Sequence, residues 1–128
     1  MSRGIADTSV FIALETGRPL RRADLPDELA VSVVTIGELR AGVLAATDTQ
    51  TRVRRLDTFT RALASTPIPI DQSVAEAWAV LRVLLREAGS RLPVNDSWIA
   101  ATALSRDVPL VTQDADYVEL SELRVIRV

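Results

Sequence analysis

A chain of 128 residues, 48% apolar and with a net charge of −2, has material for one folded domain with its own core. It contains no histidine, cysteine or lysine, and all fifteen basic residues are arginine. These absences exclude a Ser-His-Asp or Cys-His nucleophile, a Schiff base, a disulfide, and zinc held by His or Cys.

Residues 4–6 form a short apolar run that predicts a first strand, with Asp7 at its carboxyl end. Thr8 or Ser9 is expected to cap a helix through Val10 and Leu14, which Gly17 and Pro19 end. Residues 29–34 read as a second strand and Thr35 as the cap of a helix over 36–46, with Glu38 about one turn in. A further helix is expected over 51–64. Residues 67–70 predict a third strand, placed at a sheet edge by its prolines. The longest helix, over 74–87 and capped by Asp71 or Ser73, carries an apolar stripe that includes Trp78, a core residue by this pattern. A helix over 93–106 holds Asp96 in its first turn. A fourth strand over 108–112 runs into Gln113-Asp114-Ala115-Asp116-Tyr117, and 123–128 predict a fifth. Strands alternating with helices indicate an α/β layer fold with a mostly parallel sheet.

No apolar run reaches the roughly 18 residues of a membrane span, and residues 1–7 lack the apolar centre of an export signal. The expectation is a cytoplasmic protein with no membrane segment. Net charge does not advertise a nucleic-acid binder. The arginines cluster nonetheless, at Arg18, Arg21 and Arg22 and again at Arg52, Arg54 and Arg55, and a basic rim is compatible with an acidic pocket. The first group, in the loop after the first helix, lies nearer the expected crevice and is the candidate substrate contact. The second could meet RNA phosphates or an acidic partner, or be a solvated helix face.

Five carboxylates, Asp7, Glu38, Asp96, Asp114 and Asp116, fall at predicted element ends. In open parallel sheets ligands bind beyond the carboxyl ends of the strands, where strand order reverses. If the first and fourth strands are neighbours, Asp7 and Asp114 meet there. Asp96 shares a helical face with Ile99, Ala100 and Ala103, a costly place for a charge unless a cation compensates. Taken singly, each acid has an ordinary explanation as a cap, a turn residue or a solvated first-turn side chain. Taken together they form a set of hard oxygen ligands suited to Mg²⁺ or Mn²⁺, acting on phosphate esters.

The blocks Asp7-Thr8-Ser9, Thr35-Ile36-Gly37-Glu38-Leu39, Asp96-Ser97-Trp98-Ile99-Ala100-Ala101-Thr102-Ala103 and Thr112 to Tyr117 resemble the PIN domain. More narrowly, they are similar to the VapC toxins of bacterial toxin–antitoxin pairs. The likeness spans nearly the whole chain, residues 1–128, as a single domain. It implies a three-layer α/β/α fold with a mostly parallel four- or five-stranded sheet, and a Mg²⁺-dependent endoribonuclease, with Mn²⁺ an alternative ion. It carries catalytic roles onto Asp7, Glu38, Asp96, Asp114 and Asp116, with Asp7, Asp96 and Asp114 holding the metal. Thr112 matches a hydroxyl residue that supports the site by hydrogen bonding to a carboxylate or phosphate. Tyr117 stands where the family usually has Phe. The implied partners are RNA, a VapB-like antitoxin, and a second copy in a homodimer or a toxin–antitoxin hetero-oligomer. Exposed apolar residues between Ile36 and Leu63 are the candidate antitoxin groove. Trp98 packs between helices or at a dimer contact.

Two other functions use the same acids. An aspartyl-phosphate phosphoryl-transfer domain would place its nucleophile at Asp7. Against it, the chain has no lysine, and position 9 is Ser where a second Asp would be needed. A non-catalytic module could use the acidic pocket only to dock an Arg-bearing partner.

Overall fold

The computed structural model describes residues 1–117 and 119–128. In chain order the elements are β1 (Arg3–Ala6), α1 (Thr8–Thr16), β2 (Glu28–Ser32), α2 (Val33–Ala45), α3 (Thr49–Leu63), β3 (Pro67–Ile68), α4 (Gln72–Glu87), α5 (Val94–Arg106), β4 (Leu110–Thr112) and β5 (Val125–Arg127). The five strands pair in parallel in the order β3-β2-β1-β4-β5. β3, the strand with the proline, is at the edge, where its missing N–H leaves no gap in the ladder.

β1 is central. Ile5 is in register with Ala30 of β2 on one side and Leu110 of β4 on the other. Successive strand residues point to opposite faces. Ile5 and Leu110 accordingly join Val74, Leu81, Leu85 and Ile99 in one buried cluster, under α4 and α5. Ala6 and Val111 join Val10, Phe11, Leu39 and Ala62 in another, under α1, α2 and α3. The result is helices on both sides of a parallel sheet, the three-layer α/β/α arrangement. The chain leaves β1 toward β2 and returns through α5 to β4, so strand order reverses between β1 and β4, the position at whose carboxyl ends open parallel sheets bind ligands.

Several boundaries differ from the sequence expectation. β2 ends at Ser32, and Val33 and Val34 begin α2. The cap is Ser32, whose Oγ accepts from the Val34 N–H at 3.1 Å, and not Thr35. Two β-branched valines mimic a strand, but the cap hydrogen bond decides in favour of helix. α1 is capped by Asp7 itself, not by Thr8 or Ser9, and α3 begins at Thr49 behind Asp48. β3, β4 and β5 are each shorter than expected. Trp78 is half-buried and stacks on Trp98 with ring centroids 4.5 Å apart, so both tryptophans pack between α4 and α5. No helix among the described residues is long and apolar enough to cross a membrane.

Gly4 marks the closest approach of β1 to its surroundings. A Cβ there would lie 2.9 Å from Val111 Cγ2, 3.1 Å from Pro26 Cγ and 3.2 Å from the Pro109 carbonyl. Gly4→Ala is expected to destabilise the fold by about 1–3 kcal/mol, as overpacking of a tight interior does. Urea denaturation measures this, and an unchanged midpoint would mean that Val111 rotates clear without cost.

Candidate active site

Asp7 leaves the carboxyl end of β1 only 3% exposed. Its backbone N–H still belongs to the sheet, donating to the Val111 carbonyl of β4 at 2.8 Å. Its side chain accepts hydrogen bonds on both oxygens. Oδ2 receives Ser9 Oγ at 2.7 Å, the Ser9 N–H at 3.4 Å and Thr112 Oγ1 at 3.0 Å. Oδ1 receives the Tyr117 hydroxyl at 3.0 Å. A buried carboxylate without such partners would be strongly disfavoured.

The donors are themselves fixed. Ser9 Oγ accepts from the Gln113 N–H at 3.0 Å, and Thr112 Oγ1 accepts from the Asp114 N–H at 2.9 Å. Each hydroxyl therefore has its proton directed at Asp7 and a lone pair directed at the turn after β4. This stitches the start of α1 to the end of β4 and sets Asp114 beside Asp7. Asp114 Oδ1 in turn accepts from the Asp116 N–H at 2.8 Å, an Asx turn that leaves Asp116 on the exposed side.

Glu38 enters from α2. Thr8 Oγ1 donates to Glu38 Oε1 at 2.7 Å and lies 2.9 Å from Thr35 Oγ1. A hydroxyl has one proton to give, so Thr35 is the donor in the second contact. The threonine expected to cap α2 is instead buried in the helix and orients Thr8 toward Glu38.

Asp96 comes from the first turn of α5 and completes the ring. Its carboxyl is pushed up to about 6, first by burial and then by the negative charges of Asp7, Asp114, Glu38 and Asp116, in that order. The other four sequence-selected acids thus all act on Asp96. Thr112, selected for its hydroxyl, is buried and hydrogen-bonded to Asp7. Among the described residues no three acidic side chains stand close enough to hold one ion between them. Capture of a cation by this set requires side-chain rotation, or an ion that keeps much of its water and takes one or two direct carboxylates, as Mg²⁺ commonly does. The all-oxygen donor set fits such an ion, and the repulsion felt by Asp96 is what a cation would relieve.

Tyr117, noted in the sequence only as a substitution for Phe, is buried with its hydroxyl on Asp7. Burial and the nearby Asp7 and Asp96 hold the phenol far above its ordinary range, so it remains a donor. Ser9, read only as a helix cap, is equally part of the site. The available signal was chemical: a buried Tyr hydroxyl beside an acidic block must find an acceptor.

Arg18, Arg21 and Arg22 lie exposed on the loop after α1. That loop is tied to the site by Gln113, whose side-chain amide donates to the Pro19 carbonyl at 2.9 Å and the Val128 carbonyl at 2.8 Å. The second arginine group is different. Arg52 donates to the Ala46 carbonyl at 2.7 Å and Arg55 to the Gly42 carbonyl at 2.8 Å, so these two fasten α3 to the end of α2. They satisfy carbonyls that the helix terminus leaves open. Leu44, Val53, Leu56 and Leu63 on α2 and α3, with Ile12 and Leu14 on α1, are exposed apolar residues.

A parallel α/β/α fold with acids gathered at the β1–β4 reversal defines the class of the protein, and residues 5–123 match the PIN domain family. Over 128 aligned residues the chain is 48% identical to Ribonuclease VapC5 of Mycobacterium tuberculosis, covering 98% of this chain and 95% of that protein. It is also 48% identical to Ribonuclease VapC4 of the same organism, over 98% of this chain and 97% of that one. A crystal structure of VapBC-5 from M. tuberculosis, a member of the VapBC family of toxin–antitoxin systems, superposes with a TM-score of 0.90 at 44% identity, covering 100% of both chains. The chain belongs to the PIN-domain family, among its VapC members.

The raised Asp96 carboxyl makes a stability prediction for metal-free protein. In the folded state Asp96 binds its proton up to about pH 6, whereas the unfolded chain releases it near 3.8. Its contribution is therefore fully present below about pH 4 and is lost as pH rises through about 6. In EDTA at pH 7, Asp96→Asn should be more stable than the parent by about 1–2 kcal/mol, a value reduced for the solvent screening of a half-exposed group. The difference should vanish by about pH 4. Thermal melts of the two proteins across this range test it, and a gap independent of pH would contradict it.

Proposed function

We propose that this chain is a Mg²⁺-dependent endoribonuclease, with Mn²⁺ an alternative ion, and the toxin of a type II toxin–antitoxin pair. The observation that carries the reading is the ring of Asp7, Glu38, Asp96, Asp114 and Asp116 at the β1–β4 crevice, in a chain 48% identical to proteins named as VapC ribonucleases. Asp7, Asp96 and Asp114 would hold the ion, with Glu38 and Asp116 beside them. Once bound, the ion supplies charge stabilisation at the phosphoryl oxygens and lowers the pKa of a coordinated water. The Ser9, Thr112 and Tyr117 hydroxyls hold Asp7 in one orientation, and Thr8 holds Glu38. A carboxylate of the ring must take the proton of the attacking water, because the chain has no histidine or lysine to do so. Arg18, Arg21 and Arg22, on the loop tied to Gln113, meet substrate phosphates.

An aspartyl-phosphate mechanism is disfavoured, because the chain has no lysine to hold the phosphoryl group and position 9 is Ser where a second Asp would be needed. The antitoxin, a VapB-like chain, would cover the apolar residues of α1, α2 and α3 with an amphipathic segment and place a basic side chain in the acidic pocket. The single domain over 1–128 acts in the cytoplasm as a homodimer or in a hetero-oligomer with that antitoxin.

Purified protein is expected to cut RNA in Mg²⁺ and to stop in EDTA. Asp7→Ala and Asp96→Ala should each lower the rate by about 10²–10⁴-fold. RNA fragment analysis reads this, and a wild-type rate in Asp96→Ala would remove Asp96 from the site.

Tyr117→Phe should keep the fold, because the ring still fills its buried position, while one oxygen of Asp7 loses its donor. Mn²⁺ affinity is expected to fall by about tenfold, as loss of a partner behind a metal ligand typically causes. Calorimetry measures the affinity and circular dichroism the fold. Equal affinities would show that Ser9 and Thr112 suffice to orient Asp7.

A further inference from the structure

On the α4–α5 side of the sheet lies a groove of about 400 Å³ that none of the preceding roles uses. Its wall carries three arginines, Arg82 and Arg86 from α4 and Arg91 from the connection to α5. Arg82 and Arg86 are four residues apart on one helix face, where like charges destabilise each other. Among the described residues none of the three lies within ion-pair distance of a carboxylate. Three arginines without counter-ions thus line a groove whose floor also includes Leu85, Leu92 and Val94, an arrangement that suits an anion.

The groove is also braced. The Arg82 guanidinium lies 4.9 Å from the centroid of the Trp78 ring, and Trp78 stacks on Trp98 with their planes 6° apart. Trp78 Nε1 donates to Ser97 Oγ at 3.0 Å, and Ser97 Oγ donates to the Val94 carbonyl at 2.6 Å. Arg82 is thus held by a cation–π contact, and holding it adds little further entropy loss on binding. Ser97 lines the groove, and its neighbour in the chain is Asp96. The cationic wall and the acidic ring therefore sit on two sides of the first turn of α5. A carboxylate ring repels the phosphates of its own substrate, and a cationic groove beside it opposes that repulsion along the strand.

We propose that the Arg82–Arg86–Arg91 groove holds the RNA backbone on one flank of the scissile phosphate. It takes up to three phosphates of a single strand, one for each guanidinium. The proposal rests on the ribonuclease reading above and adds to it the path of the substrate.

The test uses full-length protein and a short fluorescein-labelled single-stranded RNA, with anisotropy titrations in Ca²⁺ at about 50 to 200 mM salt. The variant Arg82→Gln/Arg86→Gln/Arg91→Gln should weaken binding by tenfold or more. It should also flatten the slope of log affinity against log salt by about 2, given about 0.7 per phosphate contact in single strands. Arg86→Gln/Arg91→Gln, which leaves the Trp78 contact intact, should flatten it by about 1.4 and guards against misfolding of the triple variant. Arg3→Gln, at the opposite end of β1, should change neither quantity. Wild-type affinity and slope in both variants would overturn the proposal. So would a change confined to oligomeric state by light scattering, which would assign the groove to an acidic protein surface. Wild-type protein that cuts RNA while the variants bind it normally refutes the groove alone, whereas failure to cut refutes the ribonuclease reading.

Discussion

Asp7 is a negative charge placed almost entirely out of water, and the arrangement of the molecule around it follows from keeping that charge satisfied. Four donor groups from two separate stretches of chain converge on its two oxygens. Ser9 is local. Thr112 and Tyr117 arrive from more than a hundred residues away, and only the adjacency of β1 and β4 brings them there. The parallel pairing of those two strands thus does more than close the sheet. It brings a turn of fixed geometry, with Asp114 on it, against the first helix.

The same burial that demands donors also concentrates charge. Burial first, and then the fields of the other four acids, raise the Asp96 carboxyl. Such a cluster opposes folding, and a bound cation would relieve it and so couple the site to stability. The oxygen-only donor set and the absence of histidine and cysteine determine which cations are suitable. Positioning of the acids falls to uncharged hydroxyls: Thr8, Ser9, Thr112 and Tyr117 each donate to a carboxylate without adding a charge of their own.

Much of this was legible in the sequence because it rests on short-range signals. Acids at strand ends, the apolar stripe of α4, and prolines at an edge strand each follow from periodicity or from a missing N–H. What failed were choices between near-equivalent local signals. Val33 and Val34 favour a strand by side-chain shape, but Ser32 caps them into α2. Thr8 and Ser9 are the expected caps of α1, but the cap is Asp7, whose buried carboxylate also accepts from Ser9, Thr112 and Tyr117. Arg52 and Arg55 looked like surface charge, and only the packing of α3 on α2 reveals the carbonyls they reach. Tyr117 was visible as a residue type but not as a donor, because its acceptor lies 110 positions away.

The two guanidinium links between α3 and α2 also affect how the exposed apolar side of these helices behaves. Arg52 and Arg55 close the end of α2 with charge-assisted hydrogen bonds, so the pair moves as a unit. Leu44, Val53 and Leu56 are held in fixed relation to one another before anything touches them. A chain that settled on this surface would meet a backbone already fixed, and most of the loss of conformational freedom would fall on the newcomer.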